Sequence, residues 1–154
     1  MNILVIYPYI PYPIDRGTYQ RTFHLLRELA REHTVDLIAL SEGGERMEHR
    51  GVFEAFCREV TFVPFEHPKW PKFFPDRLLN ILPSSIRHWR QPNIAEAIRR
   101  QVKSRRYDLV HVCDIVLAQY FLHEHKDLPL SIDRSRVDLQ FQIQQAAFNT
   151  HNIK

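Results

Sequence analysis

Apolar positions along this chain follow two rhythms, and the switch between them sets out the elements. Ile3-Leu4-Val5-Ile6-Tyr7 is an unbroken apolar run, the form taken by strands covered on both faces. Comparable runs recur at Thr34 to Leu40, Thr61 to Phe65, Leu109 to Cys113 and Leu128 to Ile132. Pro64 withdraws a backbone donor from the third of these, which points to a sheet edge or a strand end. Between the runs the spacing turns helical. Tyr19, Phe23, Leu26 and Ala30 make one stripe, with Arg27, Glu28, Arg31 and Glu32 on the wet side. Val52, Phe53, Phe56 and Val60 predict a second helix from about Arg46 to Glu59. Asn93 and Glu96 have the spacing of a capping box, and Ile94, Ile98 and Val102 continue that helix's face. Ile115 to Glu124 reads as a further helix, and Arg77 to Leu82 as a short one within the proline-broken stretch from His67 to Pro92. Near the end, Val137, Leu139, Phe141 and Ile143 alternate like a strand while Val137, Phe141 and Phe148 suit a helix, and helix is the preferred reading.

Strand and helix alternate throughout, which predicts an α/β fold: a Rossmann-like open parallel sheet with helices on both faces. No internal repeat and no linker divides the chain. Its 154 residues, 44% hydrophobic and 25% charged, suit one globular domain with a real core and exclude a disordered or collagenous chain. No stretch approaches the ~20 apolar residues of a membrane span. The amino terminus lacks the basic start of a signal peptide, and Pro8, Pro11 and Pro13 interrupt its apolar stretch. Cys57 and Cys113 make neither a disulfide framework nor a zinc spacing, so a reduced, cytoplasmic setting is expected.

The net charge of +3 does not by itself argue for nucleic acid, but it is unevenly spread. Residues 87 to 106 carry seven basic side chains against the single acid Glu96. Just before them lies Lys69-Trp70-Pro71-Lys72-Phe73-Phe74. An aromatic loop beside a basic helix suits a membrane surface: Trp70, Phe73 and Phe74 enter the interface, and arginines such as Arg99 and Arg100 meet anionic headgroups. A solvated helix with a loop covering its own core fits the same residues equally well. No nucleic-acid motif accompanies the arginines.

In an open parallel sheet, ligands bind beyond the carboxyl ends of the strands. That rule selects the loop from Tyr9 to Thr18, the turn from Ser41 to Gly44, Asp114, and Asp133-Arg134-Ser135-Arg136. Gly17 stands just before the first helix, where bare N–H groups and the helix dipole favour a phosphate; it suits a plain turn as well. A single glycine does not make the G-x-G-x-x-G of a dinucleotide site, and no phosphate-binding P-loop is present. His111 lies within a strand run and suits a satisfied core histidine. The i, i+2 spacing of His123 and His125 turns the imidazoles to different sides, so no metal site is expected.

One resemblance is specific. The sequence from Ile3 to Leu40 carries P-x-P-x-D-x-G at Pro11 to Gly17, L-L-R-x-L-A-R-x-H at Leu25 to His33, then Val35-Asp36-Leu37. It resembles the start of a bacterial GT-B glycosyltransferase, of the family-4-like sugar transferases of exopolysaccharide assembly. Tyr107 to Val112 and Asp133 to Asp138 also stand where that family has its fourth and fifth strand ends. The resemblance spans nearly the whole chain but only the amino-terminal half of the family's enzyme. It implies that residues 1–154 are the acceptor-side domain, without the carboxyl-terminal donor-binding domain and its glutamate pair. It also implies a nucleotide diphosphate sugar as donor, a saccharide or lipid-linked acceptor and no metal cofactor; the membrane contact expected of residues 69 to 106 would then be with the inner membrane, where lipid-linked acceptors reside. By position, Gly17, Arg16 and Arg21 would lie near the donor diphosphate. Asp133 stands where many relatives carry a histidine near the reacting sugar, and Asp114, Arg134, Arg136 and His111 would face the acceptor. The alternative from another class is a non-catalytic α/β binding module using the same crevice.

Overall fold

The computed structural model describes residues 1–42, 44, 46–66, 88–122 and 125–134. They form a five-stranded sheet built from β1 (Asn2–Tyr7), β2 (Thr34–Glu42), β3 (Glu59–Phe65), β4 (Leu109–Val112) and β5 (Leu130–Ile132). The spatial order is β3-β2-β1-β4-β5, and every pairing is parallel. This is the expected α/β, Rossmann-like sheet. β3 lies at an edge, where the donor missing from Pro64 costs no central ladder bond.

Alternate residues of each strand enter different cores. Leu4, Ile6, Ile38, Leu40, Val110 and Val112 pack on one face against α3 (Pro92–Ser104) and α4 (Ile115–Ala118). Ile3, Val5, Val35, Leu37 and Ala39 pack on the other against α1 (Gly17–Glu32) and α2 (Arg50–Glu54). Burial on both faces is the physical reason that β1 and β2 read as unbroken apolar runs.

Three helical expectations need correction. The helix expected from Arg46 to Glu59 is a 3-10 turn, Met47–His49, followed by only five residues of α2. The N–H groups of Phe56 and Cys57 close that helix on the Phe53 carbonyl, and the Arg58 N–H already donates to Val35 O. Pairing with β2 thus claims the backbone that the apolar spacing assigned to a helix. Nor does Asn93 cap α3. Gln91 is the N-cap and Pro92 opens the helix, where its missing N–H costs nothing. The Asn93 amide instead donates to Pro64 O at 2.6 Å, tying α3 to β3. The helix expected over Ile115 to Glu124 is regular only to Ala118. The helices expected over 77–82 and 137–148 fall outside the described residues.

At the amino edge of the sheet, a charge cluster joins four segments. Asp36, in β2, is fully buried and accepts from Arg58 Nε at 3.0 Å, Arg58 Nη2 at 2.6 Å and the Tyr107 hydroxyl at 2.6 Å. Gln101, in α3, donates to the same tyrosine oxygen at 2.9 Å, and Arg105 pairs with Glu59. Burial pushes the Asp36 carboxyl up, but the Arg58 and Tyr107 hydrogen bonds and the charges of Arg58 and Arg105 outweigh it and hold it below its ordinary value. Tyr107 is pushed up to about 12 by burial and by the carboxylate it bonds.

Candidate functional site

The strand order reverses between β1 and β4, whose connections leave in opposite directions. A crevice opens at such a switch point, beyond the strands' carboxyl ends. Four segments meet there: the loop from β1 into α1, the turn after β2, Cys113-Asp114, and Asp133-Arg134.

The β1 loop delivers Gly17 as the first residue of α1. A Cβ at Gly17 would meet nothing within 4 Å, so packing does not demand glycine there. The N-cap, Arg16, makes no side-chain capping bond, and no acid stands in the first turn of this 16-residue helix. Among the described residues its leading N–H groups therefore have no side-chain cap, with the positive end of the dipole behind them.

Tyr19 follows, buried, and faces Tyr7 edge-on with ring centroids 6.5 Å apart. Tyr9 stands edge-on to Tyr7 and to Trp89, which stacks on Phe65 at 4.6 Å. A chain of aromatic contacts thus runs from β1 to β3. The guanidinium of Arg16 lies 5.3 Å from the Tyr19 centroid, and that of Arg46 lies 5.1 Å from it. Arg46 holds a left-handed backbone, φ 63, in the turn after β2.

On the β4–β5 side, Arg21 donates to Asp133 through its two terminal nitrogens, Nη1 to Oδ2 at 2.5 Å and Nη2 to Oδ1 at 3.1 Å. That bidentate bond raises the Arg21 pKa above its ordinary value. His111 pairs with Ser131 in register, its Nδ1 3.2 Å from Ser131 Oγ. Its Nε2 is buried with no hydrogen-bond partner among the described residues. Desolvation lowers its pKa, against the pull of Asp133 and with the push of Arg21, so the imidazole is neutral. Burial drives the Cys113 thiol up to about 12, which leaves it unreactive at neutral pH.

The residues singled out in the sequence therefore separate into groups. Gly17 and Arg16 stand together at the α1 end, whereas Arg21 is engaged with Asp133. Asp114 caps α4 by accepting from Val116 N at 3.2 Å. Arg134 follows Asp133 at the crevice rim. Arg99 and Arg100 sit in the second half of α3, which runs back towards the amino edge. Arg136, Trp70, Phe73 and Phe74 lie outside the described residues. Sequence reasoning missed Arg46 and gave Tyr19 only a core role; a charged turn carries no periodic signal, and a buried ring reads as core whatever its face holds. Among the described residues, no group of three or more acidic, histidine or cysteine side chains is placed to hold a metal ion. No described helix is long and apolar enough to cross a membrane.

A second concavity, of about 780 Å³, opens between the start of α3 and α4. Its walls include Ile98, Val116 and Ala118, and three of its lining residues, Ile115, Leu122 and Ile132, are exposed.

No protein-family model matches the chain, and no curated protein sequence matches it. Among solved structures, the crystal structure of the C-terminal domain, residues 78–226, of a hydrogenase from Pyrococcus furiosus is similar. It is 14% identical, with a TM-score of 0.55 over 86% of this chain and 91% of that one. At that identity the likeness concerns the fold alone, and it agrees with an α/β, Rossmann-like parallel-sheet domain.

Proposed function

We propose that this chain is the acceptor-side half of a GT-B-type glycosyltransferase, part of an enzyme that moves a sugar from a nucleotide diphosphate donor to a saccharide or lipid-linked acceptor. The carrying observation is the bare end of α1 at the sheet's switch point, opened by Gly17 and flanked by Arg16. In such a transfer the leaving diphosphate gains charge, and preorganised N–H groups and a guanidinium beside it stabilise the transition state more than the ground state. Asp133, fixed by Arg21 at the neighbouring strand end, is an acceptor-only carboxylate suited to orienting a sugar hydroxyl. Arg134 and His111, on the same β4–β5 side of the sheet, are the further residues this reading assigns to the acceptor. The basic α3 supports a place on an anionic membrane surface, where lipid-linked acceptors reside.

Reconstitution tests the reading. The 154-residue chain, mixed with a carboxyl-terminal GT-B half, is expected to restore transfer of sugar from UDP- or GDP-linked donors. Asp133→Asn is expected to lower the restored rate at least tenfold. Absence of transfer with a correctly folded partner half would sink the reading and favour a non-catalytic binding module at the same crevice.

A further inference from the structure

We propose that the concavity between α3 and α4 binds one long-chain fatty acid, with the aliphatic chain between the helices and the carboxylate on Arg90. The site is independent of the glycosyltransferase reading. It opens on the sheet face covered by α3 and α4, whereas Asp133 is held by Arg21 of α1, on the other face.

At about 780 Å³ the space is of small-molecule size, within a range of roughly 300–1,000 Å³. Its walls are aliphatic. Ile98 and Ala118 are buried, and Ile115, Leu122 and Ile132 carry the same apolar surface out to solvent. Exposed aliphatic side chains gathered around one concavity mark a place that another molecule covers.

The two sides are held at a fixed spacing. The Gln91 N–H, at the N-cap of α3, donates to the Tyr120 hydroxyl oxygen at 2.8 Å, and that hydroxyl donates to Trp89 O. The chain just after α4 is thereby tied to the start of α3, and a ligand avoids the cost of ordering the walls. The polar lining is engaged as well. The Gln91 side-chain amide donates to Glu66 O and the Gln119 amide to Val116 O, each at 2.6 Å. With those donors occupied, the walls favour a ligand that needs no hydrogen bond along its length.

Charge defines the other end of the ligand. Among the described residues no acid lines the concavity, and Arg90 is its permanently charged side chain. Arg90 is exposed and makes no ion pair with a described carboxylate, in contrast to Arg21, Arg58 and Arg105. Burial raises the Tyr120 pKa, while the Gln91 backbone and the Arg90 charge pull it down, so the guanidinium acts at the tie between the helices. A planar guanidinium fork takes both oxygens of one carboxylate. One cation at the edge of an aliphatic cavity therefore matches one acid at the end of an aliphatic chain.

The test is calorimetric titration of the 154-residue chain with octanoate, decanoate and dodecanoate, each below its micelle concentration, with backbone amide resonances locating the site. Affinity is expected to rise about fourfold per added methylene, as each leaves water for the cavity. Amide shifts are expected at Ala95, Val116 and Gln119. Decanol is expected to bind about tenfold more weakly than decanoate, for want of the charge-assisted hydrogen bond, and Arg90→Gln to erase that difference. Ala95→Phe, which fills the space from α3, is expected to abolish binding. Should that variant lose its fold, Ile115→Glu sets an acid at an exposed lining position and is expected to weaken decanoate binding at least tenfold. Affinity that ignores chain length overturns the proposal, as do decanol binding as tightly as decanoate, undiminished binding by Ile115→Glu, or shifts confined to α1. Absence of decanoate binding in a dimer that Ile115→Glu dissociates overturns it in favour of a second copy of the chain. Absence of binding by a monomeric chain overturns it outright.

Discussion

The two ends of the sheet carry similar residue types and use them in opposite ways. At the amino edge, Asp36, Arg58, Arg105, Glu59, Gln101 and Tyr107 satisfy one another, and the buried carboxylate accepts bonds from two neighbours at 2.6 Å. At the carboxyl edge, the Arg16 and Arg46 guanidinium groups meet only an aromatic ring among the described residues, and His111 buries a nitrogen without a partner. Polar groups closed upon each other favour the folded state. Polar groups left open at low local dielectric cost stability and are available to a ligand. The difference teaches where to look for function in a fold whose helices and strands are otherwise alike at both ends.

The largest effect is expected where the closed end is opened. Asp36→Ala leaves Arg58 and the Tyr107 hydroxyl facing a void, and loss of one partner of a buried pair costs about 3–5 kcal/mol. Urea unfolding at pH 7 measures it, and a loss below about 1 kcal/mol would show the cluster to be solvated in solution. Since the folded Asp36 pKa is depressed, its contribution is full above the unfolded value near 4 and falls away as pH drops through the lower folded value. Asp36→Ala should therefore flatten the acid limb of the stability profile.

A smaller effect, in a different pH window, is expected from His111. Its pKa is depressed by burial, so the unfolded chain takes up a proton first as pH falls below about 6.5, and stability declines from there. His111→Gln is expected to remove its share of the slope that opens below about pH 6.5 while leaving the carboxylate limb intact. Thermal melts at half-unit intervals would separate the two. A slope that persists in the variant would mean that another group titrates there.

The smallest change in stability is expected at Gly17. A Cβ there meets open space, so Gly17→Ala should alter the unfolding free energy by less than about 1 kcal/mol, in the stabilising direction if at all. That result would show that the fold does not require glycine at this point of the carboxyl edge. A large destabilisation would place Gly17 with the amino-edge residues instead.

Periodicity revealed the sheet because burial on both faces leaves so clear a trace. Ile3 to Tyr7 and Thr34 to Leu40 needed no partner to be recognised, and Pro64 even indicated an edge. Helix ends were harder to read. Asn93 and Glu96 matched a cap by spacing, yet Pro92 had already set the first turn and Asn93 was drawn to the Pro64 carbonyl. Arg46 to Glu59 had helical spacing, but β2 claimed the backbone at Arg58. The Asp36 cluster was invisible locally, because its bonds join residues 22 and 71 positions apart. At the crevice, Gly17, Arg16 and Asp133 were reachable from strand-end position. Arg46 was not, since a left-handed arginine in a charged turn gives no periodic signal.

The strand order also bears on the birth of the chain. β1 is central, yet its second neighbour arrives late: the Asn2 N–H bonds Asp108, 106 residues away. At about 5–20 residues per second, ribosomal synthesis takes roughly 5–20 s to cover that distance. Throughout that interval one flank of the most apolar strand is an open row of main-chain donors and acceptors, the template on which chains aggregate. Only the emergence of β4 closes that flank of the sheet.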